Sequence, residues 1–223
     1  MQKQKQLYMG NELASKIVAT GSYINNWDDR TSWVRLPDNS EVPAYLSCRR
    51  LVSIPQIKTL IKSELATLSR EVFSGRISSV VGLATAGIVW GDAISDELVL
   101  PFGYVRGEKK AYGVGKLVEC NPPSDSDALL VDDVLLTGTS FLVAKEALMN
   151  EKNIRTAGAI TIASLYPKTL ENFEDILQAP VVSLIGYEDL CTAAVNSGLF
   201  NESQHDQMMS YYTNPIGFQF KES

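Results

Sequence analysis

The sequence predicts an α/β protein: a central, mainly parallel sheet flanked by helices, with a small N-terminal hood. Three observations carry that expectation. Short apolar runs alternate with helical patterns through the middle of the 223-residue chain, the order that builds parallel strands joined by right-handed crossovers. Two of those runs end in small-residue turns, Thr85-Ala86-Gly87 and Thr137-Gly138-Thr139-Ser140. The residues ahead of Pro55, by contrast, are short, extended and turn-rich.

Taken in order, Asn11 to Thr20 reads as a helix, with Asn11 its cap and Leu13, Ile17 and Val18 on one face. Trp33 to Leu51 is extended, and Pro37-Asp38-Asn39-Ser40 is the turn of a hairpin that forms the hood. Pro55 opens a helix, and Ile57, Leu60, Ile61, Leu65, Leu68 and Val72 carry its apolar stripe to Phe73. Val80 to Ala84 is the first core strand, Ile88 to Leu98 the next helix, and Phe102 to Arg106 a second strand. Arg106 to Pro123 is polar and aperiodic, a long flexible loop with room for two extended arms.

The central stretch follows. Leu129-Leu130-Val131 has the uninterrupted apolar character of a buried parallel strand, and Asp132-Asp133 sits where that strand is expected to end. A helix is expected from Phe141 to Glu151, a strand from Ala157 to Ala163, a helix from Thr169 to Leu177 and a last strand from Val181 to Ile185. From Asn201 the chain turns polar, with apolar residues returning at Tyr211, Tyr212, Ile216 and Phe218. An ordered arm and a frayed end both fit that pattern. The expected division is a helix and hood over 1–54, a core over 55–200 and a tail over 201–223.

A net charge of −6 argues against broad nucleic-acid binding, which depends on basic surface. Cys48, Cys120 and Cys191 are scattered without metal-type spacing, as expected for reduced thiols in a cytoplasmic protein. No apolar run approaches membrane-spanning length, and no signal-peptide hydrophobic region follows the first residues. The single histidine, His205, lies in a polar segment and reads as a solvated surface residue.

In open α/β sheets ligands bind beyond the carboxyl ends of the strands. The stretch Asp132-Asp133-Val134-Leu135-Leu136-Thr137-Gly138-Thr139-Ser140 puts acids, hydroxyls and a helix N-terminus at one such edge. The first N–H groups of a helix lack intrahelical partners and suit an anion, while the acids suit hydroxyls or a metal ion. The set fits a ligand with both a sugar diol and a phosphate. Two other readings are a turn capped by one acid with the other solvated, and the Mg²⁺ pocket of a phosphorylated receiver domain. Receivers, however, carry their acid pair near the first strand.

This stretch resembles the 5-phosphoribosyl-1-pyrophosphate (PRPP) signature of type I phosphoribosyltransferases, and the wider chain resembles the orotate branch of that family. The resemblance implies the type I phosphoribosyltransferase fold. It implies that Asp132 and Asp133 hold the ribose hydroxyls, that Thr137, Gly138, Thr139 and Ser140 cradle the 5-phosphate, and that Leu136 also borders the PRPP. Thr85, Ala86 and Gly87 look like the loop that faces the pyrophosphate. In Arg106-Gly107-Glu108-Lys109-Lys110-Ala111-Tyr112, Arg106 and Lys110 match the family's catalytic Arg and Lys, with Lys109 and Tyr112 beside them. Tyr112 stands where the family usually has His, and Gly107 where many members have Lys or Ser.

Trp33, Pro43, Tyr45, Arg49 and Ser53-Ile54-Pro55 follow the order of the family's hood, so Tyr45, Arg49 and Thr137 are the implied base contacts. Val42 replaces the expected Ser before Pro43, and Ala163-Ser164 replaces the Asp-Arg pair of some members. The run Ser164-Leu165-Tyr166 resembles a subset lacking that Arg. The implied reaction is transfer from PRPP to orotate in pyrimidine biosynthesis, with Mg²⁺ held by substrate oxygens and no direct protein ligand. The implied assembly is a homodimer in which loop 106–120 reaches the neighbouring site. The alternatives are a phosphoribosyltransferase for another nucleobase and a non-catalytic PRPP-sensing regulator.

Overall fold

The computed structural model of the chain describes residues 2–36, 39–107, 116–119, 122–165 and 167–221, with backbone alone for 2–9 and 167–171. It opens on α1 (Gln2–Ala19), which buries Leu13, Ala14, Ile17 and Val18. The helix reaches well ahead of its expected start, so Asn11 is an interior residue and not a cap. The preceding Gln, Lys, Leu and Met residues are good helix formers, a propensity that leaves no apolar stripe to read.

The hood is two small antiparallel ribbons. β1 (Tyr23–Asn25), β2 (Val34–Arg35), β3 (Glu41–Val42) and β4 (Ala44–Leu46) follow in order, with β1 paired to β4 and β2 to β3. The β2–β3 hairpin matches expectation. The extended region does not run on to Leu51, however, because Cys48–Leu51 forms α2 with Cys48 and Leu51 buried. One helical turn puts residues three apart on the same face, so both apolar residues turn inward while Arg49 and Arg50 stay exposed.

α3 (Pro55–Phe73) has proline in its first turn and buries Ile57, Ile61, Leu65 and Phe73. The core then alternates as the pattern predicts: β5 (Ser79–Leu83), α4 (Ala86–Leu98), β6 (Phe102–Val105), β7 (Val118–Glu119), β8 (Asp127–Leu135), α5 (Thr139–Lys152), β9 (Arg155–Ser164), α6 (Pro167–Leu177) and β10 (Val181–Gly186). Among the described residues, six strands form one sheet in the order β10-β9-β8-β5-β6-β7, parallel except for β7, which runs antiparallel to β6. β7 is an extended arm of the stretch expected as a loop from Arg106 to Pro123. Lys109, Lys110 and Tyr112 lie outside the described residues.

One apolar layer lies between the sheet and α1, α3 and the hood, centred on Ile17, Ile61, Leu129, Val131 and Ile160. The other, centred on Val81, Leu130, Phe141, Leu148 and Phe173, lies under α5 and α6. Two further helices, α7 (Tyr187–Asn196) and α8 (Glu202–Thr213), complete the chain. The polar tail is therefore ordered: Met208, Tyr211 and Tyr212 are buried, and the Tyr212 hydroxyl lies 3.3 Å from that of Tyr23 in the hood. His205 is part of α8, 3.0 Å from Asp206. Among the described residues, no helix is long and apolar enough to cross a membrane.

Two departures matter for the edge of the sheet. β8 does not stop at Asp132-Asp133 but continues to Leu135, because β9 runs beside it and pairs Asp132 with Thr161, Val134 with Ala163 and Leu135 with Ser164. The helix after Thr85 starts at Ala86, earlier than expected, and presses onto the sheet. A Cβ on Gly82 would come within 2.6 Å of the Gly87 carbonyl oxygen, and one on Gly87 would collide with the carbonyl oxygen of Val131. Backbone atoms cannot rotate aside as side-chain ends do. Gly87→Ala is therefore expected to lower the urea unfolding free energy by about 2 kcal/mol or more, the scale of an overpacked site. A loss under about 0.5 kcal/mol, the range of neutral surface changes, would show that the contact relaxes.

Candidate active site

The carboxyl edge of the sheet gathers most of the residues singled out from sequence. Asp132 and Asp133 are half-buried near the end of β8, the central strand between β5 and β9. Successive strand residues point to opposite faces. Asp132 therefore shares a side with Leu130 and the α5 layer, and Asp133 shares one with Val131 and the hood layer. Local contacts hold each acid. The Asp133 N–H donates to Asp132 Oδ1 at 2.9 Å, and the Ser140 hydroxyl lies 3.4 Å from Asp132 Oδ2. The Val134 N–H donates to Asp133 Oδ1 at 2.9 Å.

Beyond the acids the chain turns through Leu136, Thr137 and Gly138 into α5. Gly138 precedes that helix at φ 76°, a left-handed conformation that favours glycine. A Cβ there would also collide with the Phe173 ring, so two independent constraints demand glycine. With no side chain to cap α5, the helix presents its first-turn N–H groups to the sheet edge. The Thr137 and Thr139 hydroxyls lie 3.1 Å apart beside them, and Thr137, Thr139 and Ser140 are all exposed. Exposed hydroxyls and N–H donors around a small turn form an anion nest.

The second turn meets the first through bare backbone. Gly87 packs against Val131 and the Cα of Asp132, so the start of α4 lies directly against the strand that carries the acids. Thr85 is exposed, Ala86 is half-exposed, and the Ala84–Thr85 peptide is cis. Arg106 joins from the other side. β6 runs beside β5 with Val105 opposite Leu83, and the Ala84 N–H donates to the Val105 carbonyl at 2.8 Å. Arg106, one residue further, therefore emerges next to the Thr85 turn, 3.5 Å from the Glu119 carboxylate.

Arg49 comes from α2 in the hood, and its charge acts on Asp133. Tyr45 lies on β4, half-buried against the hood layer of the core. No described contact joins it to the acids. Cys48 is no sequence-derived site residue, yet burial, followed by the charges of Asp133 and Asp132, pushes its thiol well above the ordinary value. Sequence carried no signal for that neighbour, because it depends on the unexpected helical turn of α2.

Electrostatics set the state of the pair. Burial, followed by the charge of Asp133, pushes the Asp132 carboxyl up to about 8. Burial also raises Asp133, opposed first by the hydrogen bond from Val134 and further by the Arg49 charge. Two adjacent carboxyls short of water do not both ionise readily. Among the described residues, no group of three His, Cys, Asp or Glu side chains is placed to hold a metal ion.

The family model for the phosphoribosyl transferase domain matches residues 47–176, more than half of the chain. The chain belongs to the phosphoribosyltransferase family. Among curated relatives, the orotate phosphoribosyltransferase of Porphyromonas gingivalis is 29% identical over 208 residues, covering 93% of this chain and 96% of the relative. Among solved structures, orotate phosphoribosyltransferase from Aeropyrum pernix superposes with a TM-score of 0.68 at 26% identity, covering 85% of this chain and 99% of that one. The Mycobacterium tuberculosis orotate phosphoribosyltransferase, solved in complex with PRPP, shares the fold with a TM-score of 0.60 at 21% identity, over 81% of this chain and 97% of that one.

The raised carboxyl of Asp132 predicts a pH dependence of stability. Between about pH 4, where a free carboxyl ionises, and pH 8, the unfolded chain has lost a proton that the folded protein keeps at Asp132. Folded protein then binds more protons than unfolded, so stability falls as pH rises through that window. Without ligand, the urea midpoint is expected to drop between about pH 5 and about pH 9, with a flatter profile for Asp132→Asn. Parallel profiles for the two proteins would remove Asp132 as the source.

Proposed function

We propose that this protein transfers the 5-phosphoribosyl group of PRPP to orotate, giving orotidine 5-phosphate and pyrophosphate in pyrimidine nucleotide biosynthesis. One observation carries the reading. Two strand-end turns and an acid pair meet on a single sheet edge, in a chain that matches an orotate phosphoribosyltransferase over 93% of its length.

The proposed roles follow the chemistry of each group. Asp132 and Asp133 accept hydrogen bonds from the ribose 2- and 3-hydroxyls, while Leu136, Thr137, Gly138, Thr139 and Ser140 surround the 5-phosphate with N–H and hydroxyl donors. Thr85, Ala86 and Gly87 offer backbone to the pyrophosphate. Departure of pyrophosphate leaves oxocarbenium character on the ribose and builds charge on the leaving group, so the site must align the base and neutralise that charge. Arg106 and Lys110 are assigned the neutralisation, with Lys109 and Tyr112 beside them. Tyr112 donates a hydrogen bond but brings no imidazolium charge. Arg49, Tyr45 and Thr137 are assigned to the base. An Arg fork suits the orotate carboxylate, and the Arg49 charge already reaches Asp133. The charge of orotate lies on its carboxylate, so its N1 must lose a proton as the C1–N1 bond forms; the departing pyrophosphate, itself basic at neutral pH, is a sufficient acceptor for it.

Mg²⁺ is expected to arrive with PRPP, on pyrophosphate oxygens and water, in keeping with its coordination preference. We assign the protein to the cytoplasm as a homodimer in which loop 106–120 reaches the neighbouring site. We divide the chain into a helix and hood over 1–54, a catalytic core over 55–200 and a C-terminal segment over 201–223.

Pyrophosphate release from PRPP, measured in parallel with orotate, uracil and purine bases, tests the reading. Orotate is expected to be preferred. Release with another base alone would reassign the acceptor, and PRPP binding without release would make the protein a sensor. Lys110→Ala is expected to lower kcat at least about tenfold, and as much as the roughly hundredfold or more of a lost transition-state donor; unchanged turnover would remove Lys110 from the mechanism. The double variant Asp132→Asn/Asp133→Asn is expected to abolish PRPP binding in titration calorimetry, and unchanged affinity would displace the ribose site.

A further inference from the structure

Arg106 owes its place to more than β6. Its N–H donates to the Leu117 carbonyl at 3.0 Å, and its guanidinium lies 3.5 Å from Glu119. Both partners belong to one short arm, Leu117 with β7 (Val118–Glu119), which among the described residues pairs with the sheet only through β6. A two-residue edge strand has little ladder of its own to hold it, and among the described residues no further strand lies beyond it to receive outward N–H groups. A second element supplies the acceptor. Glu151, in the last turn of α5, accepts from the Leu117 N–H at 2.9 Å through Oε1 and from the Val118 N–H at 3.1 Å through Oε2. Both oxygens of one carboxylate are thus committed to consecutive backbone groups of the arm. Bonds from N–H groups to an ionised carboxylate are shorter and stronger than neutral ones.

The same helix begins at the anion nest. Thr139 and Ser140 form its first turn, and Ala144, Ala147 and Leu148 bury its middle against Val81, Val105 and Val118. One packed rod therefore links the candidate 5-phosphate cradle to the arm that restrains Arg106.

We infer that Glu151 is a positioning residue for the reaction, clasping the 117–119 arm so that Glu119 and the Leu117 carbonyl hold Arg106 beside the Thr85-Ala86-Gly87 turn. This inference rests on the reading of Arg106 as a cation for the pyrophosphate leaving group. Without the clasp, β7 loses its second attachment. Arg106 then loses its backbone acceptor and its side-chain partner together, and must be ordered anew whenever PRPP binds.

Kinetics in two backgrounds test it. Glu151→Ala is expected to lower kcat/KM for PRPP roughly tenfold, short of the roughly hundredfold that a displaced catalytic group can cost, while KM for orotate stays within about twofold of wild type. In an Arg106→Ala background the same substitution is expected to change kcat/KM for PRPP by less than about twofold, because a residue that acts through Arg106 has nothing left to position. Glu151→Gln keeps one carbonyl acceptor and is expected to fall between wild type and Glu151→Ala; it carries the test if the alanine variant does not fold. Equal losses in both backgrounds, or wild-type kcat/KM in every Glu151 variant, would overturn the inference, since a merely structural clasp lowers stability without distinguishing PRPP from orotate.

Two measurements need no turnover. Amide exchange at Leu117 and Val118 is expected to quicken in the Glu151 variants, and titration with pyrophosphate is expected to show the same non-additivity with Arg106→Ala. If wild-type protein released no pyrophosphate with any base, the proposed activity would fail. The exchange and titration results would still decide the clasp, and unchanged exchange or additive affinities would overturn it.

Discussion

The approach of α4 to the sheet is the constraint on which the candidate site depends. A helix usually stands off a sheet by the thickness of its side chains, but here Gly82 on β5 and Gly87 on α4 remove them. Backbone meets backbone between Gly87 and Val131, one residue before the acids, and the Thr85 turn is drawn in against β8. Without that contact, the two turns would be separate strand ends of one sheet. With it, both turns lie beside the pair of acids, where we propose that they receive the two phosphorylated ends of PRPP.

Charge is distributed along that edge in a way that suits an anionic substrate on an acidic protein. The chain carries a net charge of −6, so any attraction for phosphate must be local. Neutral donors do part of the work: a helix N-terminus and three exposed hydroxyl residues surround the α5 turn. Among the described residues the cations come one from each side, Arg49 from the hood and Arg106 from the end of β6. The acids are kept from full negative charge by burial and by each other. Hydroxyl groups can donate to ionised carboxylates and can accept from a protonated one, so the pair suits a sugar in either state.

The hood is tied to the far end of the chain as well as to the core. Trp27 and Trp33 pack edge-on against Phe220, with ring centroids 5.5 Å and 5.6 Å away. Tyr23 and Tyr212 meet at their hydroxyls, and the Ser40 hydroxyl lies 2.6 Å from that of Tyr211. These contacts fix the surface from which α2 extends Arg49 toward the acids. The proposed base side of the site is thus assembled from segments distant in sequence, whereas the proposed ribose-phosphate side comes almost whole from β8 and the turn after it.

That division explains what the residues could declare on their own. Apolar runs and helical stripes located α3 to its end residues and every strand of the parallel core, because those signals are local and repeat with a fixed period. The pair Asp132-Asp133 and its Thr-Gly-Thr-Ser turn were legible for the same reason: strand end, turn and helix start are contiguous. Other features depended on partners. β8 runs past the acids because β9 offers it a ladder. α2 forms because Cys48 and Leu51 both find the core, and α8 is ordered because Tyr211 and Tyr212 have aromatic rings to meet. Glu151 carried no sign of its role, since a carboxylate in a helix's last turn becomes a clasp only when an edge strand is folded against it. The sequence by itself determined the chemistry available at the sheet edge. Tertiary structure alone decided which groups from separate elements reach it, because such contacts depend on distances between elements that no local pattern encodes.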